Sequence, residues 1–274
     1  MSSDKTEREL AYLHDLFVAP DWDERFASLI DDNVVPPKEG QAAYLGAGTG
    51  GHALALKQRG GEKLSLIGID ENPERVELAK AKAVLARERV EFQHARLDGL
   101  PLDDDQFALV VANASLVPLE RLKGVLREMI RVARPGATVV LALATASSFG
   151  EFFSIYWEAL HNLSMVDYES HVEKLITQVP TVSEVEDLAT FEGLVEVASM
   201  TQLEEFDFDS GEAFLNAPLI CDFLLKSWLG TLPQDWRDKV AAEVARIINE
   251  ERHDAEFALT VKATLVVGRK GRTN

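Results

Sequence analysis

Four glycines crowd the segment QAAYLGAGTGGHALALKQRG, residues 41–60: Gly46, Gly48, Gly50 and Gly51. Glycine loses more backbone freedom on folding than other residues, so a cluster marks a chain that must bend sharply or approach something closely. The spacing satisfies both G-x-G-x-x-G and G-x-G-x-G, and Asp70, at the end of the apolar run LSLIGID, follows Gly50 by twenty residues. At that distance a carboxylate on the next strand accepts hydrogen bonds from the hydroxyls of a ribose lying over the turn. The chemistry implied is nucleoside binding. A tight strand-to-helix turn, followed by an Asp that merely caps a helix, would use the same residues without a ligand.

The surrounding pattern supplies the elements such a turn needs. Two helices are expected at 5–18 and 21–31, the second opened by Asp21 as a cap, before NVVPPKEG breaks the chain. AAYLG then reads as a strand, 50–59 as a helix and 64–70 as a second strand. Asn72 and Pro73 open a helix to about residue 88. A strand at 90–95, the acidic loop GLPLDDDQ and a strand at 107–113 follow. Leu119, Leu122, Leu126, Met129 and Ala133 form a helical stripe, which RPG (134–136) ends before the apolar strand ATVVLALA. Strands this evenly apolar are buried on both faces, as in parallel sheets, and the alternation implies a doubly wound α/β domain.

After residue 146 the rhythm changes. An aromatic helix at 149–163, a capped helix at 181–193 and a strand at 194–208 precede helices at about 211–229 and 233–252 and a closing strand at 257–269. The organisation expected is N-terminal helices over 1–37, an α/β core over 38–146, and cap insertions with closing strands of the same sheet over 147–274. That gives seven strands, mostly parallel, with helical cap insertions.

Bulk properties narrow the partners. The chain has 274 residues and a formal charge of −18, which repels nucleic acid and anionic lipid. A single cysteine, Cys221, excludes an intrachain disulfide and cysteine-based zinc sites. The opening MSSDKTERELAYLHDLF lacks the apolar stretch of a signal peptide, and no apolar run is long enough to span a bilayer, so a cytoplasmic protein is expected. Among six histidines, His14, His52, His94 and His161 lie near expected turns or lid helices, but no spacing links them to a metal or a nucleophile.

The blocks YLGAGTGG, LIGIDENPERVELAKAKA, VEFQHARLDGLPLDDDQFALVVANASL and LREMIRVARPGATVVLALA, in this order, resemble class I S-adenosylmethionine-dependent methyltransferases. The resemblance covers about residues 38–145 and implies a Rossmann-like fold and methyl transfer to a small-molecule acceptor. It implies that Gly46, Ala47, Gly48 and Gly50 underlie the cofactor's methionine and ribose portions and that Asp70 binds the ribose. Glu71 and the segment Arg96, Leu97 and Asp98 would lie near the adenine, and Asn113 on the methionine side. An acidic loop suits a sulfonium cofactor better than a diphosphate.

Four positions depart from the family's pattern: Tyr44, Arg96 and Ala108 stand where it favours acids, and Val117 where it favours a polar residue. Tyr44 brings a hydroxyl toward the expected ligand and no charge at neutral pH, and Arg96 has no acceptor. These departures motivate an alternative, a methyltransferase-like binding or assembly protein that has lost its chemistry. A nicotinamide-dependent oxidoreductase rests on G-x-G-x-x-G alone. For the acceptor, His14, Phe153, Tyr156, Trp157 and Trp228 are the candidate pocket residues, against the plainer expectation that an aromatic helical face is core. A base is needed only if the nucleophile arrives protonated.

Overall fold

The computed structural model describes residues 5–251 and 256–272. Residues 1–4 of the charged opening and the final residue of the helix expected over 233–252 lie outside them. The described residues form two compact units, one of residues 5–143, 181–202 and 263–272, the other of residues 144–180 and 203–262.

In the first unit, α1 (Glu7–Leu13) starts at a capping box in which Thr6 and Glu9 exchange side-chain-to-backbone hydrogen bonds. It runs without interruption into a π-helical segment, His14–Asp23, and on into α2 (Glu24–Asn33). The expected break between helices at 5–18 and 21–31 is therefore corrected. Pro20 has no N–H and would disrupt an α-helix interior. The chain widens instead, and the Glu24 N–H reaches five residues back to the Ala19 carbonyl. Asp21 is not a cap; its carboxylate accepts from Arg25 Nε at 3.0 Å.

The expected alternation follows: β1 (Gly40–Leu45), α3 (Gly51–Gly60), β2 (Leu64–Asp70), α4 (Pro73–Ala86), β3 (Val90–His94), β4 (Phe107–Asn113), α5 (Leu122–Val132) and β5 (Ala133–Ala144). Asn72 caps α4, its side chain accepting from Glu74 and Arg75 N–H groups. The start of β5 differs from expectation. Phe107 pairs with Ala133 and Leu109 with Thr138, so Arg134, Pro135 and Gly136 form an irregularity within the strand, with Gly136 at φ 80°.

The remaining elements are α6 (Gly150–Asn162), α7 (Glu169–Gln178), α8 (Val182–Phe191), β6 (Leu194–Phe208), α9 (Gly211–Asn216), α10 (Leu225–Trp228), α11 (Gln234–Glu251) and β7 (Phe257–Lys270). Two of these were not anticipated. The helix expected over 211–229 is divided around Pro218 into α9, a π-helical stretch Leu219–Leu224 and α10. Helix α7 buries only Val172, too little to produce an apolar stripe in its sequence.

The sheet has seven strands in the order β3-β2-β1-β4-β5-β7-β6. Pairings β2–β3, β1–β2, β1–β4 and β4–β5 are all parallel. Chain order reverses between β1 and β4, and ligands of open α/β sheets bind outside the carboxyl ends of strands at such a switch point. Beneath it, Leu45, Val110, Ala112 and Met129 are buried, and Leu141 is 1% exposed. In the second unit the core is aromatic. Phe152 stacks on Trp228 with ring centroids 4.3 Å apart, and Phe214 meets Phe257 at 5.0 Å. Rings of this kind bury about 150–250 Å² each and dominate a core of this size.

Candidate active site

The switch point opens into a cleft of about 260 Å³. One wall is backbone. Gly46 turns with φ 66°, and a Cβ there would lie 2.3 Å from the Asn113 carbonyl oxygen, so β1 can pass β4 only with glycine. Gly48, at φ 54°, donates its N–H to Asp70 Oδ2 at 2.8 Å. Asp70 Oδ1 accepts the Asn72 N–H at 2.9 Å. A carboxylate offers roughly four acceptor sites, so Asp70 is fixed from behind and can still accept from a ligand.

Of the residues the sequence pointed to, Gly46, Gly48, Asp70, Glu71, Leu97, Asn113 and His14 line this cleft. Tyr44, Ala47, Gly50, Arg96 and Asp98 are not among its lining residues. Gly50 begins α3 at φ 85°, and a Cβ there would lie 2.8 Å from both Ala79 and Phe92, so this glycine permits helix packing. Tyr44 is 2% exposed, and its hydroxyl lies 2.7 Å from His52 Nδ1. His52 Nε2 is in turn 2.9 Å from Asp31 Oδ1, which Arg59 also contacts. Burial, with Asp23 and Asp31 nearby, pushes the Tyr44 hydroxyl up, so it stays protonated. Among the histidines, His94 Nε2 lies 2.9 Å from the Glu71 carbonyl, and His161 is exposed, 3.6 Å from Glu169.

A second wall, Glu71 and Leu97, is held from behind by an ion-pair lattice centred on Arg121, which sequence reasoning missed. Its guanidinium donates to both Glu71 oxygens, one at 2.8 Å, and to both Asp98 oxygens at 2.8 and 3.0 Å. Arg96 donates to the same Asp98 at 3.0 and 3.1 Å. Hydrogen bonds from Arg121 hold the Glu71 carboxyl below the usual range, and those from Arg121 and Arg96 hold Asp98 well below it. Glu71 also accepts the Leu97 N–H at 2.9 Å, which sets the position of the segment facing the cleft.

The third wall is the π-helical segment. Trp22 is fully buried and donates Nε1–H to Ser115 Oγ at 2.9 Å, which ties the segment to the loop after β4. Asp15 accepts from Thr49 in the glycine turn and from Lys82 on α4. These anchors aim His14 and Asp23 at the cleft. A Cβ on Gly48 would lie 3.1 Å from His14 Cε1 and 3.6 Å from Asp23 Oδ2. His14 and Asp23 stand nine positions apart, roughly two and a half turns of an α-helix, which would put them on opposite faces. The widened helix brings them within 3.3 Å. Burial, reinforced by Arg75 and Lys82, lowers His14 to about 3. Burial pushes Asp23 up to about 7, with Arg75 opposing and Asp70 assisting.

In the second unit Phe149, Phe153 and Trp228 pack together, with centroids 5.2 and 5.8 Å from Trp228, and Phe153 and Trp228 are 3% and 5% exposed. The aromatic stripe therefore forms that unit's packed core. Tyr156 is fully buried there with its hydroxyl unpartnered, whereas Trp157 is half-buried. Among the described residues no cluster of three or more His, Cys, Asp or Glu could hold a metal, and no helix is long and apolar enough to cross a membrane.

A family model described as a methyltransferase domain matches residues 43–136, the stretch that builds the backbone and ion-pair walls. The chain is 32% identical over 111 residues to a demethylmenaquinone methyltransferase of Shouchella clausii, covering 40% of this chain and 47% of that one. Over 119 residues it is 34% identical to a norajmaline N-methyltransferase of Rauvolfia serpentina, covering 43% and 39%. The chain thus spans about half or less of the length of these curated relatives. In architecture it is similar to the YcgJ protein of Bacillus subtilis, with TM-score 0.60 and 19% identity, covering 91% of this chain and 100% of that one.

Proposed function

We propose, on the premise that the chain belongs to the class I S-adenosylmethionine-dependent methyltransferases, that it transfers a methyl group from S-adenosylmethionine to a small-molecule acceptor. The observation that carries this reading is the cleft at the β1–β4 switch point, where Asp70 is held by two backbone N–H groups and keeps acceptor capacity beside a glycine turn. Bound there, the cofactor would supply a methyl carbon on a sulfonium, open to displacement by an acceptor's nucleophile.

The residues present fit that cofactor in three respects. Asp70 can accept from both hydroxyls of a ribose, the contact that separates a nucleoside from other small ligands. Gly46 and Gly48 keep side chains out of the turn, so a ligand can lie on bare backbone. Glu7, Asp23, Asp70 and Glu71 outweigh Arg75 among the charged lining, which suits a ligand with cationic sulfur and nitrogen and disfavours a diphosphate. Leu97 and Glu71, locked through Arg121, would bound the base.

The acceptor class is supported by two relatives named for small molecules, a demethylmenaquinone and norajmaline. A formal charge of −18 supports an acceptor other than nucleic acid or an anionic lipid surface, and a single cysteine fits a reducing, cytoplasmic setting. Titration calorimetry with S-adenosylhomocysteine tests the reading. Wild type is expected to bind it with a Kd in the micromolar range, and Asp70→Ala to lose roughly 1.5–3 kcal/mol, the worth of hydrogen bonds to a charged group. No binding at millimolar ligand, or equal affinity in Asp70→Ala, would overturn it.

A further inference from the structure

Four carboxylates line the cleft, and three accept hydrogen bonds from backbone, amide or guanidinium N–H groups. Asp70 accepts from the Gly48 and Asn72 N–H groups, Glu71 from Leu97 and Arg121, and Glu7 from Asn72 Nδ2 at 2.6 Å. Asp23 has a different environment. Its neighbour His14, 3.3 Å away, is held neutral at pH 7 and brings no charge. Asp23 Oδ2 also lies 3.6 Å from where a Cβ on Gly48 would sit. It therefore borders the bare turn that also meets Asp70.

Resting on the reading of the cleft as a S-adenosylmethionine site, we propose that Asp23 binds the α-ammonium of the cofactor's amino-acid arm, the task for which β1 offers no carboxylate. A ribose on Asp70 leaves the arm to extend over Gly48, and the carboxylate bordering that glycine belongs to Asp23. An ammonium presents three N–H donors to a carboxylate, whereas a sulfonium presents none, so the nitrogen is the partner that Asp23 can both neutralise and hydrogen-bond. Tyr44 cannot take this part, because its buried hydroxyl is engaged with His52 and carries no charge.

The groups that bear on Asp23 are His14 on its own segment, Tyr44 on β1, Asp70 on β2 and Arg75 on α4. With the carboxyl pushed up to about 7 in the free protein, a bound ammonium favours the ionised form and expels a proton. At pH 6 the α-amino group of the ligand is itself fully charged.

Calorimetry at pH 6, in buffers of differing ionisation enthalpy, tests the proposal with S-adenosylhomocysteine, which carries the ammonium but no sulfonium, and with 5′-methylthioadenosine, which lacks the arm. S-adenosylhomocysteine is expected to release nearly one proton from wild type and none from Asp23→Asn, and its affinity to fall roughly 10- to 100-fold in that variant. The affinity for 5′-methylthioadenosine is expected to be unchanged. No proton release from wild type, or an equal loss for both ligands in Asp23→Asn, would overturn the assignment. Failure of both ligands to bind wild type would instead remove the reading of the cleft on which it rests. The wild-type proton count decides the matter even if the variant does not fold.

Discussion

The glycine-turn wall and the π-helical wall of the cleft face the same volume but are built on different principles. In the first, the ligand-facing groups are backbone or a carboxylate fixed by backbone donors, Asp70 on Gly48 and Asn72. Moving the Asp70 carboxylate would break both of these hydrogen bonds. In the second, the facing groups are side chains, His14 and Asp23, held by side-chain anchors at Trp22 and Asp15, with a carboxyl poised near 7. The contrast suggests a division of labour. A rigid wall suits a nucleoside of fixed shape, and a titratable wall suits a charged arm whose binding exchanges a proton.

Substitutions can break this contrast in order of expected size. Trp22→Ala removes the fully buried anchor of the π-helical wall and is expected to cost about 3–5 kcal/mol of stability in urea unfolding. A loss below about 1 kcal/mol would mean the wall is held by other contacts. Gly46→Ala attacks the rigid wall, combining a left-handed backbone with a 2.3 Å approach to the Asn113 carbonyl. Roughly 2–4 kcal/mol is expected there, measured the same way.

Asp23→Asn is expected to act in the opposite direction in the ligand-free protein. The carboxyl rises from 3.8 to about 7 on folding, so the folded chain holds this proton more tightly than the unfolded chain. Its stabilising effect is complete below about pH 4 and is lost as pH climbs toward 7. The variant should therefore be more stable than wild type at pH 8, on the order of 1–2 kcal/mol after allowing for partial exposure, with only about a third of that difference left at pH 5. Thermal melts at the two pH values check this, and a variant less stable than wild type at pH 8 would refute it. The smallest effect is expected from Arg121→Gln, which loosens Glu71 and Asp98. These pairs are partly solvated, so under about 1 kcal/mol of stability should be lost, with nucleoside affinity affected more than the fold.

The rigid wall was legible in the sequence because its requirements are local and typed by residue. A glycine is needed where φ is positive or a carbonyl crowds the turn, as at Gly46 and Gly48, and an acid where the next strand ends, as at Asp70. Helix and strand alternation placed the sheet for the same reason. The π-helical wall was not legible. Helical periodicity separates His14 from Asp23 by half a turn, and PDWDER reads as a helix start until Pro20 is seen inside a widened helix. Arg121 escaped notice because its partners Glu71 and Asp98 lie 50 and 23 residues away. The aromatic stripe at 149–160 was visible as a stripe, but a packed core and a pocket wall have the same sequence signature, and only the ring contacts around Trp228 distinguish them.

The measurement closest to the central claim is a crystal structure of the protein soaked with S-adenosylhomocysteine. The nucleoside is expected at the carboxyl ends of β1 and β2, with both ribose hydroxyls on the carboxylate of Asp70. Ligand bound in another cavity, or a ribose that leaves Asp70 untouched, would contradict it.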